Sequence, residues 1–211
     1  MAGIAVFDFD GTVIRGDSVV ALLLHARKQG LISPAALLSA GFWGVLYGVK
    51  LTDALTSKQK AHAFLAKLTP EKREAFLRDF AAALVRRAFP DSIRQIRLHH
   101  EKGDTVLLCS ASCHCYMRYV APLIGADALL CTPCTDDGQV LGPNCRGQEK
   151  VRRVYAWLDQ QSIPHDAICA AYGDSGGDAP ILQASQNPVL VNAKKKLKKL
   201  LPNVQQVEWK E

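Results

Sequence analysis

Two aspartates one residue apart, Asp8 and Asp10, end the apolar run IAVFDF and are followed at once by Gly11 and Thr12. Carboxylates crowded at the end of an apolar segment repel each other and resist burial, so the pair implies a cation among them. Two more acids, Asp174 and Asp178, follow an apolar run in YGDSGGDAPIL (172–182). Hard oxygen ligands without histidine or cysteine select magnesium rather than zinc. Ser110 closes the run TVLLCS, and Lys150 in GQEK opens a helical pattern. A hydroxyl, an ammonium and backbone amides at a helix start suit the oxygens of a phosphoryl group. Brought together, these residues make a site for phosphoryl transfer.

Such convergence needs a fold that carries distant segments to one crevice. Apolar runs at 4–9, 105–110, 126–131, 167–173 and 188–192 read as strands buried on both faces. Helical patterns at 113–124, 148–161 and 176–186 supply the crossovers. Strand-helix-strand order gives an α/β class: a Rossmann-like doubly wound parallel sheet, whose ligands sit beyond the carboxyl ends of its strands. Residues from about 15 to 95 break that rhythm, with helical periodicity and no strand. The expected organisation is a catalytic core of 1–14 and 96–211 with an inserted all-helical cap domain, 15–95. Helices are expected there at 19–28, 35–49, 52–67 and 70–87, the last opened by Thr69 as N-cap and Pro70 at the first position. From 29 to 49 there are 21 residues without a charge, diluted by Ser33, Pro34, Ser39 and glycines. A buried or partner-facing cap helix is the preferred reading of that stretch, and membrane-surface contact the second.

In order and type, DFDGT, a strand ending in serine, a lysine and GDxxxD resemble the four motifs of the haloacid dehalogenase-like (HAD) phosphohydrolases, over essentially the whole chain. The insertion after the first motif, SAS at 110–112 and GQEK at 147–150 look like subfamily IB, which includes the phosphoserine phosphatases. The resemblance implies a phosphatase that uses Mg²⁺ to hydrolyse a phosphate monoester of a small metabolite. It makes Asp8 the nucleophile that forms an aspartyl-phosphate, and Asp10 the acid that protonates the leaving oxygen and then the base that activates water. It implies that Mg²⁺ is held by the Asp8 carboxylate, the Asp10 backbone carbonyl and Asp174, with Asp178 as an outer ligand or as the group positioning Lys150. Ser110 and Lys150 would hold phosphate oxygens. Gly11 and Ala111 join them as substrate-binding positions, and Thr12 is expected to hydrogen-bond near Asp10.

Asp17 lies nine residues after Asp8, where phosphoserine phosphatases carry a glutamate facing the substrate's amino group. It is equally placed to cap a helix beginning at Ser18. DFDGT in place of DFDST, and SAS in place of SGG, make phosphoserine one substrate among several rather than the expected one. Another member of the subclass acts on phosphatidylglycerophosphate at the membrane, and the uncharged stretch and basic tail give that alternative content. A phosphotransferase would use the same residues. A non-catalytic binding module would be expected to have lost Asp8 or Asp10.

With 48% hydrophobic and 22% charged residues among 211, the chain can bury a substantial core. Residues 1–6 show neither a basic n-region nor a cleavage site, which predicts a cytoplasmic protein. Seven cysteines fit reduced thiols, and Cys113, Cys115, Cys131 and Cys134 read as packed side chains rather than a zinc or redox centre. The net charge of +6 owes much to KKKLKK at 194–199, read as the solvated face of a helix that buries Leu197, Leu200 and Leu201. No nucleic-acid partner is expected, and the sequence does not give the oligomeric state.

Overall fold

In the computed structural model, which describes residues 3–48 and 51–210, strand β1 (Ile4–Phe7) is buried along its whole length. It lies inside a parallel sheet with β2 (Thr105–Cys113), β3 (Ala128–Thr132), β4 (Ile168–Gly173), β5 (Asn187–Val191) and β6 (Gln205–Val207). The order is β3-β2-β1-β4-β5-β6, so the winding reverses between β1 and β4. Phe7 is opposite Leu108 on one side and Tyr172 on the other. Side chains alternate between two cores: Ala5 and Phe7 join Leu108 and Tyr172, whereas Ile4 and Val6 join Leu107 and Ala171. Both faces are covered, which is why the strands read as continuous apolar runs. The doubly wound α/β sheet expected from the sequence is the fold that forms.

The helices are α1 (Ser18–Lys28), α2 (Pro34–Gly48), α3 (Ala54–His62), α4 (Pro70–Val85), α5 (Pro90–Glu101), α6 (His114–Ile124), α7 (Gln148–Gln160), α8 (Ala179–Gln183) and α9 (Lys195–Leu200). Asp17, Asp53 and Thr69 cap α1, α3 and α4 by accepting backbone N–H bonds, each satisfying donors that the first turn leaves free. Helices α1 to α4 fill the interval between β1 and the elements leading to β2. Phe80 of α4 packs edge-on against Tyr116 of α6, 5.3 Å between centroids, tying this insertion to the sheet layer.

Four expectations change. The boundary at 95/96 falls inside α5, which belongs with the sheet: Ile96 and His99 are buried, and His99 meets the edge of Phe7. The uncharged stretch does not form a buried helix. None of the described side chains of α2 is buried, and Leu38 and Phe42 are 75% and 59% exposed; Val49, its expected last residue, lies outside the described residues. The helix expected at 176–186 shortens to α8 because 174–178 is spent on a turn. Leu200 is exposed rather than buried, while Leu197 and Leu201 are buried as expected. Among the described residues no helix is long and apolar enough to cross a membrane.

Candidate active site

The strand carrying the first carboxylate ends earlier than its apolar run suggests. β1 stops at Phe7, Asp8 N–H makes one more sheet bond to Tyr172 O (3.0 Å), and the chain then turns sharply. Phe9 O accepts from the N–H groups of Thr12, Val13 and Ile14, and Gly11 sits at φ +81 at the tip. That conformation favours glycine, and a Cβ at Gly11 would also run into the Asp174 carboxylate. Gly11→Ala is therefore expected to cost about 1–2 kcal/mol from the left-handed backbone alone, measured by urea denaturation, and to lower kcat by displacing Asp174.

Opposite this turn, β2 carries a bulge. Its register against β3 shifts between Ser110 and Cys113, so the SAS segment leaves regular pairing where it reaches the crevice. Ser110, 1% exposed, accepts Ser112 N–H on its Oγ at 3.0 Å. Ala111 O accepts the Thr132 hydroxyl at 2.6 Å and also the Lys58 ammonium.

Lys150, on the first turn of α7 and 2% exposed, sits between two carboxylates: Nζ is 2.6 Å from Asp8 Oδ1 and 2.7 Å from Asp178 Oδ1. Asp178 is held in turn by the N–H and hydroxyl of Ser175 on its Oδ2 (3.0 and 2.9 Å). Asp174 pairs with Lys194, 2.6 Å away. Burial and the Asp178 charge raise the Asp8 carboxyl, against the pull of Lys150. Burial also raises Asp174, against Lys194. Oxygens of Asp8, Asp174 and Asp178 lie within 4.8 Å of one another. Three buried carboxylates so close, facing one buried ammonium, form an all-oxygen donor set short of positive charge, which fits a hard divalent cation such as Mg²⁺.

Asp10 is oriented away from that group. Ser18 N–H and Oγ donate to its Oδ1 (2.7 Å) and Oδ2 (3.0 Å), and Ser112 Oγ donates to Oδ2 at 2.6 Å. Tyr116 OH extends the network to Ser18 Oγ at 3.0 Å. Desolvation, with the nearby Asp17 charge, raises Asp10 to about 6, although the serine bonds oppose this. A carboxyl poised there exchanges protons readily near neutral pH.

The structure brings Asp8, Asp10, Ser110, Ala111, Lys150, Asp174 and Asp178 to the rim or floor of one cavity of about 500 Å³. Thr12 does not reach Asp10: its hydroxyl lies 3.4 Å from Asp8 Oδ2. Asp17 also lines the cavity, but its Oδ1 caps α1, accepting from Val19 and Val20 N–H at 2.8 and 3.0 Å. Ser18, Ser112, Tyr116, Lys58 and Lys194 are additions to the expected set. Ser112 was visible in SAS, and Lys194, which opens the basic run, pairs with Asp174 while its side chain stays exposed.

The four cysteines weighed as a metal or redox centre are all buried. Among the described residues, neither group of converging ligand atoms includes any of them.

A model of the haloacid dehalogenase-like hydrolase family matches residues 5–183. The chain is 33% identical to protein CicA of Caulobacter vibrioides over 83% of its length and 80% of that protein. It is 26% identical to the histidinol-phosphatase of Neisseria meningitidis serogroup C, with 94% of each chain covered. Its fold is similar to the crystal structure of a protein of unknown function from Bordetella pertussis, with a TM-score of 0.86 at 22% identity, covering 98% of this chain and 99% of that one.

Proposed function

The chain belongs to the haloacid dehalogenase-like hydrolase family, and from that membership we propose that it is a Mg²⁺-dependent phosphatase of the subfamily IB type, hydrolysing a small phosphate monoester through an aspartyl-phosphate. The observation that carries this reading is the buried Lys150 held between Asp8 and Asp178 beside Ser110 and Asp174. Lys150 occupies Asp8 Oδ1, which leaves Oδ2, with its long contact from Thr12, as the more available oxygen. In the first step an Asp8 oxygen attacks phosphorus, the ester P–O bond breaks, and Asp10 gives its proton to the leaving oxygen. In the second, Asp10 takes a proton from water, the water oxygen bonds to phosphorus, and the Asp8–phosphorus bond breaks to return the carboxylate.

Ser18 and Ser112 support this role by fixing the Asp10 carboxylate in one orientation. Lys150 and the Ser110 hydroxyl are placed to hold phosphoryl oxygens as their charge changes. When bound among Asp8, Asp174 and the Asp10 carbonyl, Mg²⁺ would supply the positive charge that keeps Asp8 ionised and offsets the phosphoryl oxygens. Asp178, both of whose oxygens are engaged, acts in this scheme through Lys150. The insertion serves as a cap over the crevice, since α1, α2 and α3 all line the cavity; its boundary then lies before α5 rather than within it.

Phosphate release from p-nitrophenyl phosphate tests the reading. Chelation with EDTA should reduce it by about a hundredfold or more, the scale of losing one dominant electrostatic stabiliser, and Mg²⁺ should restore it. Turnover unaffected by chelation, or none with Mg²⁺ present, would overturn the proposal.

A further inference from the structure

The cavity that begins at Asp8 and Lys150 has a second end, and its chemistry is different. Beyond the phosphate position the walls are Val19, Val20 and Leu23 of α1, Ala40 and Gly44 of α2, and Ala61 of α3. The polar groups among them are Asp17, Ser57 and Lys58, with Asn144 and Arg146 also in the cavity lining. Asp17 Oδ1 is occupied by two backbone N–H groups of α1. The Lys58 ammonium donates to Ala111 O and Asn144 Oδ1, with Thr132 Oγ1 at 3.5 Å. A substrate carboxylate would have to draw Lys58 from its acceptors to pair with it. An apolar alcohol needs no such exchange.

We propose that the leaving group this cavity selects is an uncharged apolar alcohol, so that the preferred substrate is an alkyl-type phosphate monoester. The inference rests on the phosphatase reading above. Shape supports it as well as composition. A cavity of about 500 Å³ exceeds what a phosphate alone needs and falls in the range of small-molecule sites. Its apolar wall continues outward: Val20 lines the cavity and is 55% exposed. A chain longer than the cavity therefore finds apolar surface at the mouth. A Cβ built on Gly41 or Gly44 would meet nothing within 4 Å, so the α2 side of the wall is open space rather than packed core.

The test is kcat/KM for n-alkyl phosphates from propyl to octyl, held below their micellar concentrations, beside O-phosphoserine and histidinol phosphate, with Mg²⁺ present. The proposal expects kcat/KM to rise about two- to fourfold per methylene over the first several carbons, the yield of burying each group, and octyl phosphate to exceed both amino-alcohol phosphates. Gly44→Leu, which fills open space without disturbing packed neighbours, should lower the octyl-to-propyl ratio. A flat series, a preference for phosphoserine or histidinol phosphate, or a ratio unchanged by Gly44→Leu overturns the apolar leaving group while hydrolysis itself still stands. No phosphate from any ester, p-nitrophenyl phosphate included, overturns the phosphatase reading and this inference with it.

Discussion

Replacing Asp8 with asparagine is expected to abolish turnover, by at least about four orders of magnitude in kcat, as removal of a covalent nucleophile does elsewhere. An amide oxygen cannot form the aspartyl-phosphate, and no neighbouring group takes over. Asp10 is turned toward Ser18 and Ser112, and Asp178 has both oxygens engaged. What makes the variant informative is that its stability should not follow its activity. Asp8 is one of three buried carboxylates around one buried ammonium, and burial raises its carboxyl in the metal-free protein. The near-isosteric amide removes one charge and leaves Lys150 paired with Asp178. Without Mg²⁺, Asp8→Asn should therefore melt at or above the parent temperature while releasing no measurable phosphate. Residual activity above about 1% would remove Asp8 from the nucleophile's role, a loss of only about 3 kcal/mol in barrier terms. Loss of activity together with a large fall in melting temperature would mean that its role is structural.

The positions of these groups were legible in the sequence to different degrees, for physical reasons. β1 stood out because a central parallel strand is apolar on both faces, and the acids that break such a run at its end are conspicuous. Asp174 and Lys150 were found by the same reasoning about strand and helix ends. Residue order could not show the bulge in β2, which arises where SAS must pair with Cys131 and Thr132 of β3 while bending toward the crevice. The Ser18–Ser112–Tyr116 network joins residues 94 and 98 positions apart, and nothing local marks it. β6 was missed because a short polar edge strand lacks an apolar face; its three residues are partly or wholly exposed. α5 was missed because the helical rhythm before it masked a change of allegiance: its Ser92 hydroxyl bonds to Val13 O, and its buried side chains face the sheet.

Asp17 illustrates a question the sequence posed correctly and geometry answers for one of its two oxygens. A carboxylate at that spacing suits either a substrate's ammonium or the first turn of a helix. Here the first turn takes Oδ1, with Val19 and Val20 N–H on that one oxygen, while the residue also lines the cavity. The same reasoning applies to Lys194. A lysine beginning a basic run is ordinarily solvated, but the turn after β5 brings its backbone N–H to Asp174 O at 2.8 Å and its ammonium to the same residue's carboxylate. The Lys194 side chain stays 68% exposed, so the basic run begins on the surface at the edge of the site.

Lys150→Met separates the structural from the catalytic use of the central ammonium. Lys150 is 2% exposed and bridges Asp8 and Asp178 at 2.6 and 2.7 Å. Methionine fills much of the same volume but leaves two buried carboxylates without their shared cation, so the metal-free variant should lose about 3–5 kcal/mol, the usual result of removing one partner from a buried pair. Protonation of one carboxyl limits the loss, and burial already drives Asp8 in that direction. A divalent cation binds the native state in proportion to the charge it meets, and stabilises it by mass action. Without the competing ammonium, the acids should gain affinity for Mg²⁺, so its effect on unfolding free energy should be larger in Lys150→Met than in the parent protein. Activity should not recover with stability: with Mg²⁺ saturating and the fold intact, kcat should remain about two to three orders of magnitude low, because no donor replaces the ammonium at the phosphoryl oxygens. Urea denaturation with and without Mg²⁺, followed by turnover on the refolded samples, separates the two effects. A loss under 1 kcal/mol with an unchanged Mg²⁺ effect would show that Lys150 is not the counterion of this cluster, and recovery of full turnover on adding Mg²⁺ would show that its charge is not needed for the chemistry.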